Sequence, residues 1–142
     1  MSLLKTALSQ YGIKEIAGNV HNPVIVNYAK EIGMSWVATD EVPWCSIFMN
    51  WCAFKSGYIR SNKADARSWL RVGEETTEPE VGDVVVFKRG TSAWEGHVGL
   101  FISEEDGYVN VLGGNQSDSV KIAKYSKGNL LGYRRLTKIA GS

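Results

Sequence analysis

The sequence predicts an α+β fold in which N-terminal helices pack on a five-stranded antiparallel sheet. Up to about residue 70 apolar side chains recur at helical spacing, and after Thr76 short β-branched and aromatic runs alternate with turn residues. Helices followed by closely linked strands are typical of a sheet that carries its helices on one face. A length of 142 residues suits one compact unit, so residues 1–142 are predicted to form a single domain.

Capping and breaking residues mark the ends of the predicted helices. Asn22-Pro23 supplies an N-cap followed by proline at the first helical position, and Gly33 supplies a stop. Gly57 ends a third helix, whose apolar side chains fill much of its circumference, so this helix should be the most buried. The predicted helices run from Leu3 to Gln10, from Pro23 to about Ile32 and from Pro43 to just before Gly57, with a short helical piece from Ala64 to Leu70.

The strands follow turn material at Pro79 to Asp83. Each is a short run rich in β-branched or aromatic residues, and the links between the runs are short, which favours antiparallel neighbours. The predicted strands are the segments DVVVF, HVGLFIS, YVNVLGG, VKIAKY and LLGYRRL.

Charge and hydropathy exclude several classes of function. The net charge of +1 contains no long block of one sign, so nucleic acid is not an expected partner. No stretch approaches the roughly 20 apolar residues of a membrane-spanning helix, so no membrane insertion is expected. The N-terminal stretch lacks the apolar core and cleavage site of a signal peptide, and we therefore expect synthesis in the cytoplasm without one.

The two cysteines are expected to be free thiols. Cys45 and Cys52 are seven residues apart in one predicted helix, which separates them by roughly 10.5 Å along its axis, whereas a disulfide needs Cα atoms within about 7 Å. Two cysteines and two histidines without CxxC or HxxxH spacing give no zinc template, and no cluster of acidic loop residues suggests calcium. We expect no metal and no organic cofactor.

Cys45 is the candidate nucleophile because it falls in the first turn of the third helix, where the positive end of the helix dipole favours thiolate. Asp40 and Glu41 lie just upstream and would raise the pKa of the thiol unless they point away, a question that stays open. Position alone favours a small buried residue, and it is the presence of a partner for Cys45 that favours the nucleophile. Cys52 lies deeper in the apolar stretch and is predicted to be core.

His97 is the candidate base, since hairpin counting places it beside polar residues of the next strand. A two-residue loop at Asp106-Gly107 sets His97 opposite Gln116, and a four-residue loop sets it opposite Gly114. In either register residues 113–116 lie beside His97, where an Asn or Gln oxygen would orient the imidazole. The other histidine, His21, shows no such partner and is interpreted as a surface or capping residue.

Aromatic and basic residues near these positions are candidates for contacting a ligand. Trp44, Trp69 and Trp94 come from three separate segments, two of them next to the proposed Cys and His. Aromatic side chains are first of all core material, so a groove-lining role competes with burial. Arg67, beside Trp69, would suit a substrate carboxylate, although a solvated surface arginine is the simpler interpretation.

The segments PWCSIFMNW, PEVGDVVVF, GHVGLF and VLGGNQSDSV resemble the papain-like peptidoglycan amidases of the CHAP and NlpC-type superfamily. The resemblance covers nearly the whole chain and is tightest to a small branch of bacteria and phages with PWC, GHVG and LGGNQ. It implies that Cys45, His97 and Asn115 form the catalytic set. Other members have His or Glu in the third place, so Gln116 is held in reserve as the orienting residue or as part of the oxyanion site.

The resemblance further implies a cofactor-free cysteine amidase or endopeptidase whose partner is bacterial peptidoglycan. From their positions in the sequence we expect Trp44, Trp69, Trp94 and Gln116 as substrate contacts. We expect a monomer that reaches the wall as a phage endolysin released with a holin, or as an injected antibacterial effector. Whether an immunity protein accompanies it stays open. The alternatives are a catalytically silent module that binds muropeptide or protein, and an acyltransferase or deamidase acting on a protein.

Overall fold

The computed structural model describes residues 2–13, 23–34, 44–91, 93, 95–116 and 119–139, with the backbone alone for Ile25 and Asn115. The helices are α1 (Leu3–Leu8), α2 (Pro23–Glu31) and α3 (Cys45–Ser56), with 3₁₀ helices at Ala66–Arg71 and Lys127–Asn129. The strands are β1 (Glu74–Thr76), β2 (Val84–Lys88), β3 (Gly96–Glu105), β4 (Tyr108–Gln116), β5 (Ser119–Ser126) and β6 (Leu130–Arg135). The predicted α+β order, helices before strands, is confirmed.

All paired strands run antiparallel, in the order β1-β6-β2-β3-β4-β5. The sheet therefore has six strands where the sequence predicted five. The extra strand is β1, which pairs with the edge of β6. Its sequence, Glu-Glu-Thr, is three polar and exposed or half-buried residues, and so short a segment carries no alternation that a sequence pattern can detect.

Helix α3 is buried around nearly its whole circumference and contacts α1, α2, β3 and β4. Its residues from Cys45 to Ala53 are all buried, as the sequence predicted for this helix. It ends where Gly57 adopts a φ of +78°, a left-handed conformation that glycine tolerates without strain. The predicted helical piece before β1 is also present, as the 3₁₀ helix Ala66–Arg71.

The apolar residues divide between the two faces of the sheet. Val84 and Val86 of β2 join the core under the helices, while Val85 and Phe87 point to the opposite face, as strand alternation requires. Together with residues of neighbouring strands, they form a second cluster, whose buried members are Val85, Phe87, Phe101, Val109, Val111 and Tyr133.

A glycine lets the start of α3 approach the sheet closely. A Cβ atom on Gly114 of β4 would lie 2.7 Å from Trp44 Cζ3 and 2.8 Å from Phe48 Cβ. Contacts this short do not occur between real side chains, so only glycine permits this packing. Since Trp44 immediately precedes Cys45, Gly114 fixes where the first turn of α3 sits on the sheet.

Within the described residues no helix is long and apolar enough to cross a membrane.

Candidate active site

Cys45 is the first residue of α3, and its thiol meets three backbone groups. Hydrogen bonds with the backbone of Cys45, Ser46 and Val98, together with the charge of Arg89, lower its pKa. Burial acts in the opposite direction and is the larger effect, because only 4% of Cys45 is exposed. The net result is a raised pKa, opposite in direction to the effect that the sequence predicted from the position at the helix start. Asp40 and Glu41 lie outside the described residues.

His97 lies on β3, pairs with Phe87 of β2 and is 2% exposed. Its Nε2 atom is 2.9 Å from Oε1 of Gln116. The Gln116 amide nitrogen donates to the carbonyl oxygens of Val111 at 2.9 Å and Lys121 at 2.6 Å. Both amide hydrogens are thus used, and turning the amide over would set its oxygen against two carbonyl oxygens. Gln116 Oε1 must therefore accept from His97, which puts the ring proton on Nε2.

The other ring nitrogen of His97 is left as a bare acceptor. Nδ1 is buried and has no hydrogen-bond partner, the Cys45 thiol included, among the residues that the structure describes. Burial lowers the pKa of His97 to about 4, although the bond to Gln116 acts in the opposite direction. The imidazole is therefore neutral at pH 7, with the tautomer that a general base working through Nδ1 requires.

Cys45 and His97 are linked through shared neighbours rather than by a direct bond. The thiol contacts the backbone of Val98, the residue after His97. The Tyr125 ring stacks on the His97 ring at 4.6 Å and 15°, and Tyr125 interacts electrostatically with Cys45. The charge of Arg89 affects all three groups. These contacts bring the nucleophile and base predicted from the sequence into one small region.

The hairpin register explains how Gln116 reaches His97. The turn is the two-residue form, with Glu105 paired to Tyr108 and with Asp106 and Gly107 at φ values of +46° and +79°. A bulge between Phe101 and Ser103 then shifts the register, so that Leu100 pairs with Leu112. The outcome lies between the two registers that the sequence left open, and Gln116 contacts His97 by its long side chain.

Gly113 makes room for this contact. A second bulge interrupts β4 and β5 between Gly113 and Gln116, and the Gln116 side chain folds back toward the glycine. A Cβ atom on Gly113 would lie 2.8 Å from Gln116 Oε1, the atom that accepts from His97. The two consecutive glycines of the LGGNQ segment therefore leave space on opposite faces of β4. Gly113 leaves space for the Gln116 side chain, and Gly114 leaves space for Trp44 and Phe48 at the start of α3.

With this geometry established, comparison with known proteins places the chain in a family. The model of the CHAP domain family matches residues 37–115, more than half of the 142 residues. The chain belongs to the CHAP domain family. Peptidoglycan hydrolysis of the amidase type is the function that this family implies. Cys45 and His97 lie inside the match, and Gln116 is the first residue after it.

A solved structure agrees with the fold of this CHAP domain. It is a Staphylococcus aureus subsp. aureus Mu50 protein described as similar to lipoprotein, of the NLP/P60 family, with a TM-score of 0.53 and 19% identity. The match covers 94% of this chain and 39% of that one, so the CHAP domain spans about two fifths of its length. At this identity the likeness concerns the fold, which is papain-like as predicted. No match was found among curated proteins.

The tryptophans proposed as substrate contacts occupy different environments. Trp44 is 1% exposed and packs edge-on against Phe48. Trp69 is fully buried, and its indole nitrogen donates to Ser46 Oγ at 2.9 Å. Both therefore support α3 from within the core, which is the competing role that the sequence allowed. Trp94 lies outside the described residues, as does His21.

Sequence reasoning named both candidates for the orienting residue, and it missed Tyr125 and Arg89. Asn115 belongs to β4, and the structure describes its backbone only. Gln116, held in reserve, has the contact to His97. Tyr125 lies on β5, distant in sequence from both His97 and Cys45, and only the folding of the sheet brings it to the imidazole.

Among the described residues no group of three or more His, Cys, Asp or Glu side chains is arranged to hold a metal ion.

Proposed function

We propose that this CHAP domain hydrolyses an amide bond in the peptides of bacterial peptidoglycan through an acyl-thioester on Cys45. The observation that supports this most strongly is the Gln116 contact, which leaves His97 neutral with a bare Nδ1 in the neighbourhood of a free thiol. The imidazole is buried and held in one tautomer, and the backbone of the next residue, Val98, contacts the Cys45 thiol. This arrangement suits general base catalysis. Gln116 takes the orienting role, and Asn115 remains the alternative.

In the first half of the reaction, Cys45 Sγ turns from the Val98 backbone toward His97 and gives its proton to Nδ1. The sulfur attacks the carbonyl carbon of the substrate, forming the C–S bond and a tetrahedral oxyanion. Backbone N–H groups at the start of α3, those of Cys45 and Ser46, stabilise this oxyanion, helped by the helix dipole. The oxyanion collapses, the C–N bond breaks, and Nδ1–H of His97 protonates the leaving amine.

In the second half, water replaces the amine. His97 Nδ1 accepts one proton from the water as its oxygen attacks the thioester carbon, and the C–S bond then breaks. The Cys45 thiolate recovers its proton from His97, which restores two neutral groups. Gln116 holds Nε2–H throughout, so the imidazole turns neither before nor after proton transfer. No metal or organic cofactor takes part in this scheme.

The substrate assignment rests on the family, whose members generally act on peptidoglycan. Stem-peptide amides, cross-bridge amides and the amide that joins sugar to peptide all suit the same chemistry. We propose that the protein is made in the cytoplasm and acts on the wall as a phage endolysin released with a holin, or as an injected antibacterial effector. It acts as a monomer in this proposal, and an effector of this kind would be accompanied by an immunity protein.

Mass spectrometry of soluble products from purified peptidoglycan tests the proposal. Wild type and Cys52→Ala should release peptides whose masses identify the bond that is cut, and Cys45→Ala should release none. Cys52 is the matched control, because it is a fully buried thiol on the same helix. Release of the same products by Cys45→Ala would contradict the assignment of the nucleophile, and no release by wild type from walls of several chemotypes would contradict the substrate.

One observation favours a second candidate, a silent module that binds muropeptide or protein without cleaving it. The thiol of Cys45 is buried with a raised pKa, as in cysteines that serve only for packing. A module that binds muropeptide would sediment with insoluble wall sacculi and release nothing, and one that binds protein would neither sediment nor release products. An enzyme would release products and lose that activity after alkylation of Cys45, with a rate of alkylation that rises as the pH approaches the raised pKa.

A further inference from the structure

A cationic pocket of about 250 Å³ lies between residues 59–63 and 68–73, and neither Cys45 nor His97 is among the residues that line it. Three of the residues that line it are basic, namely Arg60, Lys63 and Arg71. Ser61 and Ser68 add hydroxyl groups, and no acidic residue is among the lining residues. Three cations around one concave space repel one another, and the repulsion is relieved when an anion is bound.

The three cations are not neutralised by the rest of the described chain. The ion pairs among the described residues involve other basic side chains, so Arg60, Lys63 and Arg71 each lack a carboxylate partner there. By contrast, Arg135 pairs with Asp83 and Glu80. The charge of this pocket is therefore available to a ligand.

Arg60 is the most constrained of the three. Its guanidinium lies 5.2 Å from the centre of the Phe54 ring, and its Nη1 atom is buried with no hydrogen-bond partner in the described structure. Loss of water around the group lowers the pKa of Arg60 from its usual value. A cation that has lost part of its hydration without gaining an acceptor is destabilised, and an anion at the open side of the guanidinium would offset that loss.

The walls of the pocket are held rigidly from α3. Asn50 is fully buried, its Oδ1 accepts from the Asn62 N–H at 2.8 Å, and its Nδ2 donates to the Lys63 carbonyl at 3.1 Å. These bonds hold Asn62 at a φ of +59°, a conformation that non-glycine residues rarely adopt. Ser46 donates to the same carbonyl at 2.7 Å and accepts from Trp69, which belongs to the 3₁₀ helix that carries Arg71.

We infer that this pocket is a preorganised site for an oxyanion, either a carboxylate or a phosphate group of a ligand, held by Arg60, Lys63 and Arg71. Guanidinium groups bind both anions through paired hydrogen bonds, and the lysine adds a point charge. The carboxylate would come from a peptide, and the phosphate from a polyol or sugar phosphate. The site is distinct from Cys45 and His97, so the inference does not depend on the proposed hydrolysis.

Titration of the intact protein with inorganic phosphate, followed by ¹H–¹⁵N NMR, tests the site. Saturable shifts are expected for the amides of residues 59–63 and 68–73, and the dissociation constant should rise at least several-fold in Arg60→Gln and Arg71→Gln. Lys30→Gln is the matched control, because it removes one positive charge from an exposed position on α2. It should leave binding unchanged.

Arg60 also packs on Phe54, so weaker binding in Arg60→Gln could reflect a change in folding. Arg71 is exposed, so Arg71→Gln should weaken binding without unfolding the protein. Competition with glycerol phosphate and with a tripeptide carrying a free carboxylate then identifies which source the site prefers. Displacement of phosphate by either compound supports the inference. Shifts that fail to saturate, or that respond equally to Lys30→Gln and Arg71→Gln, would overturn it.

Discussion

Gln116 accepts a hydrogen bond from Nε2 of His97 at 2.9 Å while donating both of its own amide hydrogens to backbone carbonyls. The side chain has no freedom to turn, because it is 1% exposed and every polar atom is used. The imidazole orientation is therefore set by the backbone of β4 and β5, with the amide of Gln116 as the connection. This arrangement makes Gln116 the first residue to test.

Gln116→Ala should lower kcat by about 100-fold with little change in KM, the size of effect typical for loss of an aligned general base. The imidazole would lose its fixed tautomer while the substrate contacts stay. Rates on purified peptidoglycan measure the effect, and ¹⁵N shifts of the His97 ring report the tautomer. Asn115→Ala is the control. A larger loss in Asn115→Ala, with an unchanged tautomer in Gln116→Ala, would give the orienting role to Asn115.

Substitution of the two adjacent glycines of β4 should have different effects, on activity at Gly113 and on stability at Gly114. Gly113→Ala places a methyl group 2.8 Å from Gln116 Oε1, so we expect reduced activity with stability changed by less than in Gly114→Ala. Gly114→Ala collides with Trp44 and Phe48, and overpacking of this kind costs about 1–3 kcal/mol of stability.

Activity on peptidoglycan and chemical denaturation separate the two glycine effects. Gly132→Ala on β6 is the control, because its added Cβ would be 3.4 Å from Leu70 Cδ2, an ordinary contact. Full activity in Gly113→Ala would show that the displaced Gln116 side chain is not needed to orient His97.

Tyr125 should act as a positioning residue through its ring. The ring stacks on His97 at 4.6 Å and on Phe87 at 5.1 Å, and burial with the nearby Cys45 raises the pKa of its hydroxyl to about 12. Tyr125→Phe keeps both stacks and should retain most activity. Tyr125→Ala removes stacking worth about 0.5–1.5 kcal/mol and should lower kcat several-fold.

The pH profile of kcat distinguishes this positioning role from a merely structural one. In Tyr125→Ala the imidazole becomes more accessible to water, so the acid limb of the profile should move to higher pH. Equal loss in Tyr125→Phe and Tyr125→Ala would assign the effect to the hydroxyl instead.

His97 should make the protein less stable in mild acid. Its pKa is lowered from 6.5 to about 4 by burial, so the unfolded chain binds a proton in this range that the folded chain does not. The free energy of unfolding should therefore fall as the pH drops from about 6.5 to about 4, by up to about 3 kcal/mol at 1.36 kcal/mol per pKa unit. Above pH 6.5 neither the folded nor the unfolded chain binds this proton, so His97 causes no loss of stability there.

Denaturant titrations at a series of pH values measure this dependence. His97→Asn should flatten the slope between pH 6.5 and 4, since it removes the group that titrates. The acid limb of activity should lie near the same folded pKa, because only the neutral imidazole can accept the thiol proton. An unchanged slope in His97→Asn would contradict the lowered pKa.

Local sequence signals were enough for most of the architecture. The helix around Cys45 is bounded by a glycine at a left-handed φ, and the turn at Asp106-Gly107 is the two-residue form that these residues favour. By contrast, β1 was missed because its three polar residues pair only with the edge of β6. Interactions between neighbours in sequence are readable from the chain, whereas an edge strand is defined by a distant partner.

The sequence by itself determined the α+β order, the thiol at the start of a buried helix, the histidine on a strand and the segment beside it. Only the tertiary structure showed that Gln116 contacts His97, because two bulges, between Phe101 and Ser103 and between Gly113 and Gln116, change the register of β4. It also raised the pKa of the Cys45 thiol, since burial outweighs the hydrogen bonds from the backbone and the charge of Arg89. Register shifts and desolvation depend on how distant segments pack, and no local pattern of residues contains that information.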